Sequence, residues 1–561
     1  MSIKKQNVLL ASISYIIFGF VILIILSYQI RTHTAIFVSD GYFHFSRFYD
    51  AAQQIKTNNF SFFQSNWGFN QSGRIVNALY GPYFAYLMGA ILLICGTWFK
   101  FQIVTSFLIS FIAATGMYKC LKYVSSNNIA NILISLIYIT SIKFWSCGSN
   151  FNAISSALAP FALYCGLRMI LDHKKPISWS QLALTMSIVA QIHLLSTLLF
   201  TTLLIPFFII GLVQTKFRKQ MMLNLTVAVL VTLLLTMNIW INLYYFHKLD
   251  IVSNPGAFNM YKATLSWHHF TPISICLILV QFLYVSFHWK QSSTNCIITV
   301  LALVFLILCT KLFPWNFVQN CVPILKEVFQ MPRRFVILFI PLYLLGVGIS
   351  INEINFEEFK VPMIIYAVLG IALLSNFNNL TRLNNFYVVN SLMQATNENR
   401  GQRKAANDHK LSKLFDYLSG STSDYLPQVG KPISKNKIKM LYKKEIIANS
   451  KHFKHKVLSG GRLELVWTAK KNKKGNLPIV MYKQSRLKLN NKKVEPQKDS
   501  IGVPTVYMRK GYNKAILSYK APSYFSIVLI VNFVIWIIFI ILCFSIKWRS
   551  YYSDAYIRLK G

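Results

Sequence analysis

The chain has 561 residues, 54% of them apolar, a mean hydropathy of +0.44 and a formal charge of +41. So apolar a composition excludes a soluble domain, and the long apolar runs that recur along the chain are of bilayer-crossing length. An alternating barrel pattern is absent, and lipid leaves helices as the other way to satisfy the backbone, so the class that remains is a polytopic helical membrane protein.

Thirteen runs read as helices in chain order: 8–29, 79–97, 101–120, 128–145, 153–171, 178–194, 196–213, 221–245, 271–288, 295–312, 333–350, 361–376 and 524–546. The first follows Lys4 and Lys5 and lacks a small-x-small cleavage site, so it reads as an uncleaved span. Those two lysines at one end, and Lys547, Arg549, Arg558 and Lys560 at the other, favour the cytoplasm for both termini. Two cytoplasmic ends require an even number of crossings. The stretch 178–213, interrupted by His193, Ser196 and Thr197 with no loop between its halves, reads as one broken or re-entrant pass, giving about twelve crossings. Segments 31–78, 246–270, 313–332 and 377–523 then face outward.

The chain divides accordingly into a membrane domain, 1–376, with its external loop 31–78; an extracytoplasmic domain, 377–523; and a last span with a short tail, 524–561. Residues 377–523 hold 30 Lys and Arg against 8 Asp and Glu, a net +22. Such a segment suits anionic lipid headgroups or an anionic wall polymer as well as an ordinary solvated surface. Nucleic acid is excluded as a partner by the outward placement and the absence of any nucleic-acid motif. No cysteine falls within 377–523, so that domain uses no disulfide. Amphipathic patterns with Gly and Pro breaks run to about 456. From about 460, RLELVWTAK, NLPIVMYKQSRLKLNNKKV and TVYMRKGYNKAILSYK alternate with period two, which predicts a small antiparallel β-sandwich.

Residues 1–376 contain only eight carboxylates, so outward candidates for chemistry are few, and Asp40 and Asp50 in VSDGYFHFSRFYDAAQQIK and Glu327 stand out among them. Asp40, His44 and Arg47 fall at i, i+4 and i+7, on one face of a helix starting near Gly41 and lying at the membrane surface. Asp40 fits an N-cap as well as a chemical role. Arg333 and Arg334 open a span on the outer side, where adjacent guanidinium groups suit a phosphate or anchor to headgroups. His193 interrupts an apolar run, which marks it for cavity lining or for helix packing through a hydrogen bond.

Asp40-Gly41-Tyr42-Phe43-His44-Phe45, just after the first span, resembles the first external loop of GT-C glycosyltransferases, polytopic enzymes that take sugars from polyprenyl-phosphate donors. The chain is similar, more closely, to the bacterial membrane-protein family labelled 6-pyruvoyl-tetrahydropterin-synthase-related, with its YfhO-like members. DGYFHFSRFYDAAQQIKTNNF at 40–60, ALYGPYFAYLMGAILL at 78–93 and VFQMPRRFVIL at 328–338 carry that resemblance. Met331 and Arg333 depart from the expected aromatic pair, leaving Gln330, Pro332, Arg334 and Phe335 as the matching core. The pterin label implies no pterin chemistry, because no zinc-binding histidine cluster is visible.

The resemblance implies a GT-C-like fold and an inverting sugar transfer at the bacterial plasma membrane, onto an extracytoplasmic glycan, lipid or wall polymer. It implies a catalytic set of Asp40, His44 and Asp50, with Asp40 as general base. Arg47, Arg74, Tyr80, His193, Glu327, Gln330, Arg333 and Arg334 would bind substrate and phosphate. A divalent Mg or Mn held by Asp40 and Glu327 is compatible with the same set. Two other classes compete: a transporter, which usually shows internal repeats that are absent here, and a non-catalytic partner in cell-surface polysaccharide assembly.

Overall fold

A computed structural model describes residues 3–560 except 38–40, 142–153, 251, 254–256, 268–269, 355–359, 394–396, 418–423 and 432. Asp40 lies outside the described residues. Among those described, seven helices are long and apolar enough to cross a membrane: Leu9–Thr32, Trp98–Val124, Leu194–Gln214, Arg218–Leu235, Pro332–Glu353, Val361–Arg382 and Phe525–Ser545. Five shorter apolar helices accompany them, Pro82–Cys95, Asn128–Thr140, Ser156–Leu171, Pro272–His288 and Ser293–Cys309.

Local sequence explains where these helices start and stop. Pro82 opens the second apolar helix at a position that needs no N–H. Gly96 ends it in the left-handed conformation, and the Thr97 hydroxyl then accepts from Lys100 N to begin the next helix at Trp98. The helix Val336–Glu353 is the hub of the bundle: every side chain from Val336 to Ile351 is buried. An all-round apolar helix has no polar face to show and must sit inside.

The stretch 178–213 breaks at His193, where the polar interruption was expected: its extended backbone (φ −160°, ψ 109°) ends the helix Trp179–Ile192 and starts Leu194–Gln214. The run 221–245 breaks too, at Thr236, into Arg218–Leu235 and Met237–Leu249. Asn238 and Asn242 on the second piece are buried in polar contacts, Asn238 with Gln191 (2.9 Å) and Asn242 with the Ala78 carbonyl (2.9 Å). Polar positions inside these apolar runs therefore sit at or just after the helix breaks. The helix from Lys360 also continues to Met393, beyond the boundary expected at 376.

The segment 377–523 ends in eight strands: β1 (Lys454–Leu458), β2 (Arg462–Ala469), β3 (Lys473–Asn476), β4 (Ser485–Leu489), β5 (Lys492–Val494), β6 (Gln497–Lys498), β7 (Pro504–Met508) and β8 (Gly511–Tyr519). All pairings are antiparallel, in one sheet ordered β1-β2-β8-β4-β5 and a second ordered β3-β7-β6. Leu463, Leu465, Trp467, Leu487, Val506, Met508 and Leu517, drawn from both sheets, share one apolar core. Period-two alternation supplies that face.

This region is bound to the loop that follows the helix Gly41–Thr57. Asn59 donates to the Leu458 carbonyl (2.9 Å) and accepts from Gly461 N (3.0 Å), Asn66 donates to the Gly461 carbonyl (2.8 Å), and Val480 N donates to the Ser72 carbonyl (2.8 Å). A second apolar cluster, including Phe63, Ile75, Phe246, Leu426, Tyr442, Tyr482 and Phe525, lies under these bonds. Sheets, loop and helical body therefore meet through a common core.

Candidate functional site

The helix Gly41–Thr57 follows directly after the stretch 38–40 and is almost wholly buried. It packs on the helix Pro82–Cys95 through small residues: a Cβ at Gly89 would lie 2.7 Å from Ala52 N and 3.0 Å from the Ala51 Cβ. Tyr86 Oη donates to Gln54 Oε1 (2.7 Å) at the far end of that contact. The first two blocks that carried the family resemblance thus form one packed pair.

Arg47 is the centre of this pair and is fully buried. Its Nε donates to Asn77 Oδ1 (3.0 Å), Nη1 meets His44 Nδ1 (3.3 Å), and Nη2 donates to the carbonyls of Tyr80 and Gly81, the latter at 3.1 Å. The Tyr80 ring stands 4.5 Å from the guanidinium, in cation–π range. Burial lowers the Arg47 pKa to about 10, and the hydrogen-bond partners just named are neutral. A buried cation with neutral partners costs solvation free energy that an anion alongside would offset.

The other rings close around Tyr80. Its centroid is 5.5 Å from Phe43, 5.7 Å from His44, 5.8 Å from His193 and 6.4 Å from Tyr425. His193 sits at the break between its two helices, with Nδ1 2.8 Å from Ser196 Oγ. Arg47 and Arg334 are both close enough to act on it electrostatically. The turn that precedes it is pinned by Gly81, whose φ of +67° and missing Cβ let the chain touch the end of the helix Trp179–Ile192; a Cβ there would lie 1.7 Å from the Gln191 carbonyl oxygen.

Arg334 comes from the third block. Gln330, in the left-handed region at φ +65°, turns the chain into the 3₁₀ turn Pro332–Phe335 at the N-terminal end of the central helix. Arg334 donates to the Phe329 carbonyl (2.6 Å) and to Gln330 Oε1 (3.2 Å). A cation in the first turn of a helix opposes the helix dipole, an arrangement that an anionic ligand would make favourable. Arg333, by contrast, is exposed and turned toward Met331 Sδ (3.1 Å), and Glu327 is exposed on the preceding short helix.

Asp50 and Arg74 have different surroundings from the Arg47 cluster. Asp50 is fully buried; Oδ1 accepts from the backbone N–H groups of Asn66 (2.9 Å), Trp67 (2.8 Å) and Gly68 (3.2 Å), and Oδ2 accepts from Gln54 (2.8 Å). Burial raises its pKa, and those four donors act against the rise. This carboxylate folds the loop and presents no exposed oxygen to a substrate. Arg74, also fully buried, donates to the Asp424 carbonyl and lies over the rings of Phe69 (4.8 Å) and Tyr442 (5.3 Å). It ties the loop 58–81 to the segment 377–523. Phe69, Asn70 and Gln71 beside it are all in the left-handed region, held by Tyr42 and Tyr442 hydroxyls on Asn70 Oδ1 (3.0 and 3.4 Å).

The structure therefore brings His44, Arg47, Tyr80, His193, Gln330 and Arg334 to one region, and sets Asp50, Arg74, Glu327 and Arg333 to other surroundings. Tyr425 and Asn77 belong to the cluster and carried no sequence signal. Among the described residues no group of three or more His, Cys, Asp or Glu could hold a metal; of the Mg or Mn pair, Glu327 is exposed and Asp40 lies outside the described residues.

An apolar groove of about 560 Å³ begins beside the cluster. Tyr83, Phe84, Leu87, Met88, Ile109, Ile154, Ile188, Gln191 and Ile192 are among its lining, together with Trp536 of the last helix. Ile192 and Tyr83 are chain neighbours of His193 and of the Tyr80–Gly81 turn. Leu87, Leu108, Ile112 and Ile188 of the same groove are exposed on the apolar outside of the helical body.

Searches of protein-family models and of curated proteins find no match to this chain.

Proposed function

We propose that the chain is a GT-C-type glycosyltransferase of the bacterial plasma membrane, moving a sugar from a polyprenyl-phosphate donor to an extracytoplasmic glycan, lipid or wall polymer. The observation that carries the reading is the junction of a cationic, aromatic cluster with an apolar groove on the lipid side. A polyprenyl phosphate has that same division into an anionic head and an apolar tail.

In this reading the tail lies in the groove and the phosphate approaches Arg47 and Arg334, whose fixed forks suit its oxygens. Asp40, the residue before Gly41 in sequence, takes the proton of an acceptor hydroxyl. That oxygen bonds to the anomeric carbon from the face opposite the phosphate, and the carbon–oxygen bond to phosphate breaks with its electron pair leaving on the polyprenyl phosphate. Tyr80 and His193 shape the pocket wall. Seven helices long and apolar enough to cross a membrane, with five shorter apolar ones among the described residues, support the membrane setting this reading needs. Similarity to the 6-pyruvoyl-tetrahydropterin-synthase-related, YfhO-like family stays part of the proposal.

One observation favours the non-catalytic assembly partner instead: Asp50, the described carboxylate of the external-loop helix, is committed to backbone donors. Radiolabel transfer from a polyprenyl-phosphate sugar by the purified chain separates the readings. Transfer supports the enzyme; donor binding without transfer supports the partner.

A further inference from the structure

The outward domain has a second concavity, unrelated to the Arg47 cluster. It measures about 1,050 Å³ and lies between the helical segment 435–448 and the edges of both sheets. Lys444, Lys470, Lys471, Lys473 and Lys474 stand on its rim, all exposed, with His452 beside them. Glu445 is the single acid in the lining, and it is occupied by Asn476 Nδ2 (2.9 Å) and Lys444 Nζ (3.3 Å). Trp467, 7% exposed, forms part of the wall, and its buried indole N–H has no acceptor among the described residues.

The position of the rim decides what it can meet. Ala469, which ends β2, pairs with Gly511, while Tyr519 at the other end of β8 leads into the last span. Eight residue steps of strand separate the two ends, about 26 Å. The Lys470–Lys474 connection from β2 to β3 is therefore at the end of the sheet opposite the one that leads into the last span, a separation well beyond the roughly 8 Å over which headgroup charge is screened. Its lysines also surround a hollow, which a flexible chain can enter and a flat bilayer cannot.

We infer that this cleft binds a linear anionic polymer, one with phosphate or carboxylate groups spaced by polyol or sugar units. The inference stands whether or not the chain transfers sugar. Repeated weak ion contacts along such a chain give affinity that falls with salt, and the hollow fixes which lysines make them.

The test uses the full chain in a neutral detergent and fluorescent poly(glycerol phosphate) as probe. A K470A/K471A/K473A/K474A variant is compared with K456A/K488A/K492A/K493A, which removes equal charge from exposed positions of the same domain. Affinity falling by about tenfold or more at roughly 0.1 M salt in the first variant, with the second near wild type, is the expected result. Equal losses would reduce the cleft to diffuse attraction and overturn the inference. So would an unmodified chain that ignores the polymer, or one whose cleft lysines instead govern capture by phosphatidylglycerol vesicles. Unchanged thermal unfolding of both variants guards against misfolding as the cause.

Discussion

Asp50 and Arg47 lie one turn apart on the same helix and differ in what surrounds them. Asp50 is answered by three backbone donors and an amide, so its replacement leaves buried N–H groups without acceptors, each worth about 1–3 kcal/mol. Asp50→Ala is expected to lower stability by about 3 kcal/mol or more in thermal unfolding, and Asp50→Asn by less, since an amide oxygen still accepts the loop N–H groups. Equal, small effects from both would remove the clasp role. Arg47 answers neutral acceptors with a rigid fork, and Arg47→Lys should lose donor binding while a point charge fails to reach Asn77 and the Tyr80–Gly81 carbonyls together. Sequence spacing was enough to put His44 and Arg47 on one helix. It could not tell that Asp50 would face the loop, because that depends on a turn sixteen residues later, and it could not summon Tyr425, which reaches Tyr80 from the outward domain.

At the scale of elements, the tight joint is the one between the 80–81 turn and the end of the helix Trp179–Ile192. Gly81→Ala meets both a left-handed backbone, which costs an L side chain about 1–2 kcal/mol, and a carbonyl 1.7 Å from the new carbon. It should separate the turn from His193 and abolish transfer while the bundle still inserts. Gly370→Ala is the control: nothing lies within 4 Å of its Cβ, and alanine in a helix should leave stability equal or higher by about 0.5–1 kcal/mol. A Gly81→Ala protein with full activity would show that the joint is dispensable. Apolar runs announced nearly every helix here, since burial in lipid needs only hydropathy. The breaks at His193 and Thr236 were harder to place: His193 showed as a polar interruption, whereas Thr236 is one of many threonines in apolar runs.

For the molecule as a whole, the account requires the 313–332 segment and the sheets on the outside and the turn at Gln291 inside. Cys321 is exposed and native, so in a background with the other cysteines replaced it should react with a membrane-impermeant thiol reagent on intact cells. Lys488→Cys, exposed on β4, should react as well, and Gln291→Cys should react only after the membrane is opened. The reverse pattern would invert the topology. Alternation of residues foretold the strands, but not that two sheets of five and three strands would be bound to the external loop through Asn59, Asn66 and Ser72, since pairing across nearly four hundred residues leaves no local trace.

The central claim, that the opening of the helix Gly41–Thr57 carries the chemistry, rests on Asp40. Asparagine caps a helix as well as aspartate does but cannot accept a proton at neutral pH. The deciding measurement is the rate of sugar transfer from a radiolabelled polyprenyl-phosphate donor by purified Asp40→Asn protein, with its thermal unfolding recorded alongside. The account predicts unchanged unfolding and a rate at least about a hundredfold lower, with smaller losses in His44→Ala and Arg334→Lys. Transfer at the unmodified rate in Asp40→Asn would contradict it and return Asp40 to a capping role.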